Sequence, residues 1–343
     1  MKTYLLPASG RFYKANLHAH STFSDGKLTP AELKTLYQSR GYSIIAYTDH
    51  DLMFHHRELN DEKFLALSGF ELYANEALAD PDAPYTDKRV CHLCFVALTP
   101  EVEHQVCFHR TRFVEHNIPL RHLAAYDPAQ PDFERAYTPA CINEMIRLGR
   151  EAGFFVTYNH PTWSLEYGND YLQYQGMHAM EIFNGGASAA GYDDYNPRVY
   201  DDMLRHGQRI YCIAADDNHN NQPPDSPYSD SFRGWTMIKA ERLEHNAIGQ
   251  ALENGHFYAS QGPEITDLWL EEGCVHLTTP AAVSVRYNTG RRVAHVQYND
   301  RGEDPLHAVF PVEKADGYFR LTVTDGHGLH ACTNAYFTDT LPG

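Results

Sequence analysis

The feature that most constrains this fold is a repeated unit: a capped helix, then an apolar strand that ends in His or Asp. Thr29-Pro30-Ala31-Glu32 reads as a helix start. Thr29 caps, Pro30 suits the first helical position, and Glu32 completes a capping box. The helix is predicted to run to about Arg40 and stop at Gly41. The β-branched and aromatic run 43–47 follows as a buried strand and delivers Thr48-Asp49-His50-Asp51. The unit returns at Thr138-Pro139, where a helix to about Gly153 leads into strand 154–158 and Asn159-His160-Pro161. It returns again at Asn196-Pro197, where a helix to about Gly207 leads into strand 209–214 and Asp216-Asp217-Asn218-His219. A last helix, 243–254, stops at Gly255 and leads into a short strand, 256–259.

Strand after helix, repeated, predicts a parallel α/β architecture. The His and Asp residues fall just past the strand ends, where α/β barrels place their chemistry. Further strands are predicted at 16–20, 64–71, 90–97 and 180–183, enough for a barrel before residue 260. Segment 100–137 departs from the pattern, being polar and Pro-rich without a clean period, and reads as an insertion or lid. Beyond residue 260 the helical signals vanish. Alternating runs at 266–270, 275–278, 282–287, 295–298, 308–312 and 319–324, separated by turn residues, predict a small β-sandwich. The expected division is residues 1–261 as the α/β unit and 262–343 as an all-β accessory domain.

Composition narrows the function. Asp plus Glu total 45 against 28 Lys plus Arg, a net charge of −17. No basic run is present, which disfavours long nucleic acids and anionic membrane surfaces. No apolar run is long enough for a transmembrane helix, and the first ten residues lack a signal-peptide core. Seven Cys, an odd number scattered through the chain, suit a reducing compartment, and a cytoplasmic location is expected.

The chain also spends 21 of its residues on His. In His18-Ala19-His20 and Asp217-Asn218-His219, residues two apart share a face of an extended strand. Asp25 lies on the turn Ser24-Asp25-Gly26, Glu71 follows an apolar run, His92 lies within a strand, and His50 and His160 end strands. Singly, each reads as a hydrogen-bonded core residue. Together they make a set of N and O donors suited to divalent transition metals.

The runs Asn16-Leu17-His18-Ala19-His20-Ser21-Thr22-Phe23-Ser24-Asp25-Gly26 and Tyr47-Thr48-Asp49-His50-Asp51 resemble the PHP (polymerase and histidinol phosphatase) family. So does the series that continues through Glu71, His92, Asn159-His160-Pro161 and Asp217-Asn218-His219. The resemblance covers about residues 14–260 and implies a distorted (β/α)7 barrel holding two or three divalent metals (Zn, Mn or Fe). It implies that His18, His20, Glu71 and Asp217 bind a first metal, and Asp25, His50 and His219 a second. Glu71 would bridge to a third held by His92 and His160. Nine ligands favour a trinuclear site. A metal-bridging hydroxide is the expected nucleophile, with Glu71, Asp217 and His219 as the catalytic set. More weakly, Gly234-Trp235-Thr236 and the run Phe257-Tyr258-Ala259-Ser260-Gln261-Gly262-Pro263-Glu264 resemble the junction of a PHP subgroup with a C-terminal β-sandwich, the CehA/McbA-like metallohydrolases.

Other residues carry less. Cys91 and Cys94 point to opposite faces of their strand and read as two buried thiols. Arg233, Asn184 and Trp163 are candidate substrate-binding residues. Tyr167 is a candidate pocket wall. His55, His56, His104, His109, His116 and His122 fit no strand-end pattern, and one of them is a candidate general acid. The expected activity is hydrolysis of a small phosphomonoester or phosphodiester. The alternatives are hydrolysis of a carbamate, amide or carboxylic ester by the same cluster, and a carbohydrate- or protein-binding module on a metal-bearing scaffold. Oligomeric state is not legible.

Overall fold

Three helices start at the prolines the sequence marks, Pro30, Pro139 and Pro197, and the helix expected from 243 starts at His245. In α1 (Pro30–Gln38), Thr29 accepts from the Glu32 amide and Glu32 Oε2 accepts from the Thr29 amide at 2.8 Å. Residues 2–80, 82–300, 302 and 304–341 are described in this computed structural model. The first half of the chain runs β1 (Thr3–Tyr4), β2 (Arg11–Asn16), α1, β3 (Ile44–Tyr47), β4 (Leu65–Asn75), β5 (Val90–Ala97), α2 (Pro139–Glu151), β6 (Phe154–Tyr158), α3 (Gly168–Tyr171) and β7 (Ala179–Asn184). It continues with α4 (Gly185–Ala189), α5 (Pro197–Arg205), β8 (Tyr211–Ala215), β9 (Trp235–Ala240), α6 (His245–Glu253) and β10 (Phe257–Ser260). The last eighty residues are β-rich: β11 (Asp267–Glu271), β12 (Cys274–Thr279), β13 (Ser284–Thr289), β14 (Ala294–Tyr298), β15 (Leu306–Pro311), β16 (Tyr318–Thr324), β17 (His330–Thr333) and β18 (Tyr336–Phe337).

The strands form a large mixed sheet, in the order β14-β13-β16-β17-β10-β9-β2-β3-β4-β5-β6-β7-β8, and a separate antiparallel sheet, β1-β11-β12-β15. The expectation of a parallel barrel is met in part: β2-β3-β4 and β6-β7-β8 pair in parallel. β5 runs antiparallel to β4 and to β6. The connection from β4 to β5 holds only the single turn Tyr85–Asp87 and no helix that could return the chain for a parallel pairing. No closed sheet is found among the described residues. The ladder ends at β8, and only the isolated bridge Ala19↔Asn218 spans the gap back toward β2.

The fully buried strands explain why their sequences read as continuous apolar runs rather than alternating ones. Phe70, Leu72, Leu93 and Phe95 face one core with Met145 and Ile146 of α2. Leu268, Val275 and Phe310 of the small sheet pack against Val285, Tyr287 and Leu321 of the large one. β10 pairs with both β9 and β17, so hydrogen bonding runs across residues 261–262, and β1 at the N-terminus pairs with β11. Among the described residues no helix is long and apolar enough to cross a membrane.

Candidate metal centre

The site is built where the sheet fails to close. Asp217 N donates to His18 O at 2.9 Å and His20 N to Asn218 O at 3.1 Å. These bonds zip the two motifs together beyond β2 and β8. Because Ala19 and Asn218 lie between the paired donors, His18, His20 and Asp217 turn the same way, and His18 Nε2 and His20 Nε2 approach Asp217 Oδ1 at 3.1 and 3.0 Å. On the neighbouring pair, the register Glu71↔Cys94 and Tyr73↔His92 sets Glu71 and His92 on one face, with Nδ1 to Oε1 3.0 Å. Glu71 is therefore mid-strand rather than at a strand end. His50 bridges to Glu71, and His50 Nδ1 lies 3.2 Å from Glu71 Oε2. His160 follows β6 and puts Nε2 3.3 Å from Glu71 Oε1. Asp25 Oδ1 comes within 3.3 Å of His219 Nε2. His160 and Asp217 hold positive φ of 27° and 51°, a conformation uncommon for residues with a Cβ and frequent at functional sites.

The residues brought together can hold metal. Three groups have their donor atoms within 4.8 Å of one another: His20, Asp25, His50 and His219; His18, Glu71 and His160; and His18, His20 and Asp217. This grouping differs from the carried-over one. His20 belongs both with His18 and Asp217 and with Asp25, His50 and His219, Glu71 groups with His18 and His160, and His92 lies outside all three, 3.0 Å from Glu71. The donor chemistry fits divalent cations. Asp25 Oδ1, His50 Nδ1, His92 Nε2 and Asp217 Oδ1 are buried with no hydrogen-bond partner, even where another donor stands within 3.3 Å. Close approach without hydrogen-bond geometry is what ligands sharing an ion require. The outer ring nitrogens are held: His18 Nδ1 by Glu181 Oε1 at 2.8 Å, His160 Nδ1 by Ser164 Oγ at 3.1 Å, and His219 Nδ1 by the Asp217 carbonyl at 3.1 Å. Such partners fix tautomer and ring orientation.

The electrostatics agree. Burial alone would raise Glu71, but the imidazoles of His18 and His92 hold it well below the usual carboxylate range. Asp217 is likewise held down, against its burial, by His18 and His20. Burial opposes charge on His20, yet its bonds to Asp217 and Glu71 push its pKa up to about 10. Burial keeps His50 and His92 below their ordinary value. The carboxylates are thus ionised, and the protons on the imidazoles are those that metal binding displaces.

Over the cluster lies a cavity of about 590 Å³. Trp163 lines it, edge-on to His92 and His160 with ring centroids 5.3 and 4.9 Å away. The other two candidate substrate-binding residues are placed differently. Arg233 is not on the cavity wall; its guanidinium donates to the backbone carbonyls of Pro227 and Ser229 and so ties down its own loop. Asn184 is buried, donates to Glu181 and Asp217 and caps α4 through Ala187 N. It orients Asp217. Tyr167 lies off the wall as well. Cys91 and Cys94 are buried thiols. Of the six His outside the strand-end pattern, His116 alone lines this cavity, stacked on His50 at 4.8 Å.

Sequence reasoning missed Glu181. It is fully buried on β7, where it joins His18 Nδ1, His160 N (2.9 Å) and Asn184 (2.8 Å). A charged residue inside the apolar run Met180-Glu181-Ile182-Phe183 was the available signal. Segment 100–137 is anchored to the site by Arg135 on Asp51 (2.6 Å), Gln105 on Asp51 O (2.8 Å) and Asn117 on His50 O (2.7 Å). It contributes Glu115 and His116 to the cavity.

No family model and no curated protein matches the chain. Solved structures are similar to it. One is a two-domain protein from Bacteroides vulgatus described as containing a predicted PHP-like metal-dependent phosphoesterase: 15% identical, 94% of each chain covered, TM-score 0.42. Another is an amidohydrolase from Chromobacterium violaceum with bound sulfate and no metal: 17% identical, 60% of this chain and 87% of that one covered, TM-score 0.36. The ordered series of motifs from His18 to His219 resembles that of the PHP family.

Proposed function

We propose that this protein is a metal-dependent hydrolase acting on a small phosphomonoester or phosphodiester. The observation that carries the reading is the convergence of nine His, Asp and Glu side chains, seven of them lining one cavity with His18 and His20 buried behind them, and four with buried, unpartnered donor atoms. We read residues 1–261 as the hydrolytic unit and 262–343 as the accessory one.

When bound, divalent cations supply Lewis-acid activation of water and of the scissile group. His18, His20, Asp25, His50, Glu71, His92, His160, Asp217 and His219 would hold two or three of them. The protein's own residues do the rest. Glu181, Ser164 and Asn184 orient His18, His160 and Asp217. Glu71 and Asp217 are held ionised among the imidazoles, which suits them as anionic donors to the cations. Trp163 covers His92 and His160 and limits water on that side.

A specific observation also favours a second reading, hydrolysis of a carbamate, amide or carboxylic ester. No Lys or Arg is among the residues lining the cavity, so no side-chain cation is on hand to receive a phosphate. Phosphate release from p-nitrophenyl phosphate in excess Mn²⁺ or Zn²⁺, lost by at least about 10³-fold in His20→Ala, supports the first reading. Metal-loaded protein that cleaves aryl esters and no phosphoester supports the second.

A further inference from the structure

The cavity walls say what the substrate carries beyond its scissile group; the argument rests on the hydrolase reading above. Arg135, Arg89 and Arg233 lie on segments that build the cavity, and each is engaged elsewhere. Arg135 pairs with buried Asp51, Arg89 with Glu76 and Asp170, and Arg233 with backbone carbonyls. Outside the nine-residue cluster the ionisable side chains at the wall are the carboxylates of Glu115 and Asp230 and the imidazole of His116, which stands 3.7 Å from Asp25 Oδ2. Glu115 accepts from Tyr73 Oη at 2.5 Å, and Asp230 accepts from the backbone amides of His219 and Asn220 at 2.8 and 3.0 Å. The remaining wall is made of small residues of 186–190, two amides and a set of aromatic rings. Tyr85 and Trp163 stand with ring centroids 6.4 Å apart on one side, and Tyr228 stands at the wall with 72% of its surface exposed. Tyr85 is 46% exposed, so neither tyrosine spends its ring face on the core.

We propose that the site selects substrates with a flat leaving group that is uncharged or cationic, and that it rejects leaving groups bearing a further anionic charge. A ring entering between Tyr85, Trp163 and Tyr228 removes exposed aromatic surface from water and stacks on it. A cation gains from the same faces and from Glu115 and Asp230. An anion there meets the carboxylates of Glu115 and Asp230 with no Lys or Arg of the lining to offset them. The reaction adds water across the scissile bond. The phosphoryl or acyl group takes the hydroxyl, and the leaving oxygen or nitrogen takes the proton.

Calorimetric binding of three non-hydrolysable probes to Mn²⁺-loaded protein tests this: phenylphosphonate, 4-(aminomethyl)phenylphosphonate and 4-carboxyphenylphosphonate. The phosphonate is shared, so differences report on the wall. The expected order places the aminomethyl compound at least as tight as phenyl, with carboxyphenyl weaker by about tenfold or more. In Glu115→Gln the carboxyphenyl penalty shrinks, whereas a residue with only a structural role would weaken all three alike. Equal or reversed affinities, or no binding of any probe, overturn the proposal. Turnover of the matching aryl phosphates is read in parallel. If the binding order holds and none is hydrolysed, the phosphoester reading falls and the wall chemistry stands.

Discussion

Two regions of this molecule gather histidines, and only one makes a metal centre. On the large sheet, imidazoles meet the carboxylates of Asp25, Glu71 and Asp217, buried, with outer nitrogens held by Glu181, Ser164 and a backbone carbonyl. On the small sheet, His276 and His307 stack on Trp269 with centroids 4.9 and 5.4 Å away and bond to each other, Nδ1 to Nε2, at 3.1 Å. Lys2 Nζ sits 4.3 Å over the same Trp ring. That second cluster joins none of the groups of three or more donors found among the described residues. A cation already lies on its face. The contrast teaches that His content does not make a site. Converging carboxylates and fixed outer nitrogens do.

The comparison can be broken or sharpened at several points. The largest stability effect is expected at the anchor of segment 100–137. Arg135→Met leaves the buried Asp51 carboxylate unpaired and should cost about 3–5 kcal/mol in denaturant unfolding. Next, Glu181→Gln keeps the shape and removes the charge behind His18 and His160. Metal affinity measured by chelator competition should fall about 10–100-fold, with circular dichroism unchanged. A smaller effect is expected at His178, a histidine outside both clusters. Burial, then Arg150, brings its pKa down to about 4, and its Nδ1 accepts from Val156 N at 3.1 Å. The native state therefore needs neutral His178. Its contribution is complete above the ordinary value of 6.5 and is lost as pH falls from 6.5 toward 4. His178→Asn keeps an acceptor that does not titrate, so its melting temperature should fall less steeply over that window. The smallest effect is expected on the small sheet. His276→Ala with His307→Ala should leave metal content unchanged and shift stability by no more than about 1 kcal/mol.

Much of the frame was legible. The Thr29/Glu32 capping box, the Thr138 cap and strands Val90–Ala97 and Phe154–Tyr158 lie where local rules put them, because caps and apolar runs are local signals. Strands β1, β9, β17 and β18 have no counterpart among the predicted ones, and β2 (Arg11–Asn16) ends where the predicted strand 16–20 begins. The antiparallel placement of β5 turns on the lack of a helix between residues 75 and 90, a cue present in the sequence and not used. Among site residues, the nine cluster members sit together, but Arg233 and Asn184 face protein partners rather than the cavity. What claimed them, two loop carbonyls and the Glu181 and Asp217 carboxylates, is set by long-range packing that spacing does not reveal. Glu181 is signalled only by its charge inside the apolar run 180–183, and His116 is set apart from the other five outlying His by the placement of segment 100–137 over the cavity.

The central claim is that the large-sheet cluster binds metal and the small-sheet cluster does not. Elemental analysis of the purified wild type, His20→Ala and the His276→Ala/His307→Ala variant tests it most directly. The account predicts two or three divalent transition-metal ions per wild-type chain, a clear loss in His20→Ala, and the wild-type content in the double variant. Wild-type protein that takes up no transition metal, or metal retained in His20→Ala and lost in the double variant, would contradict it.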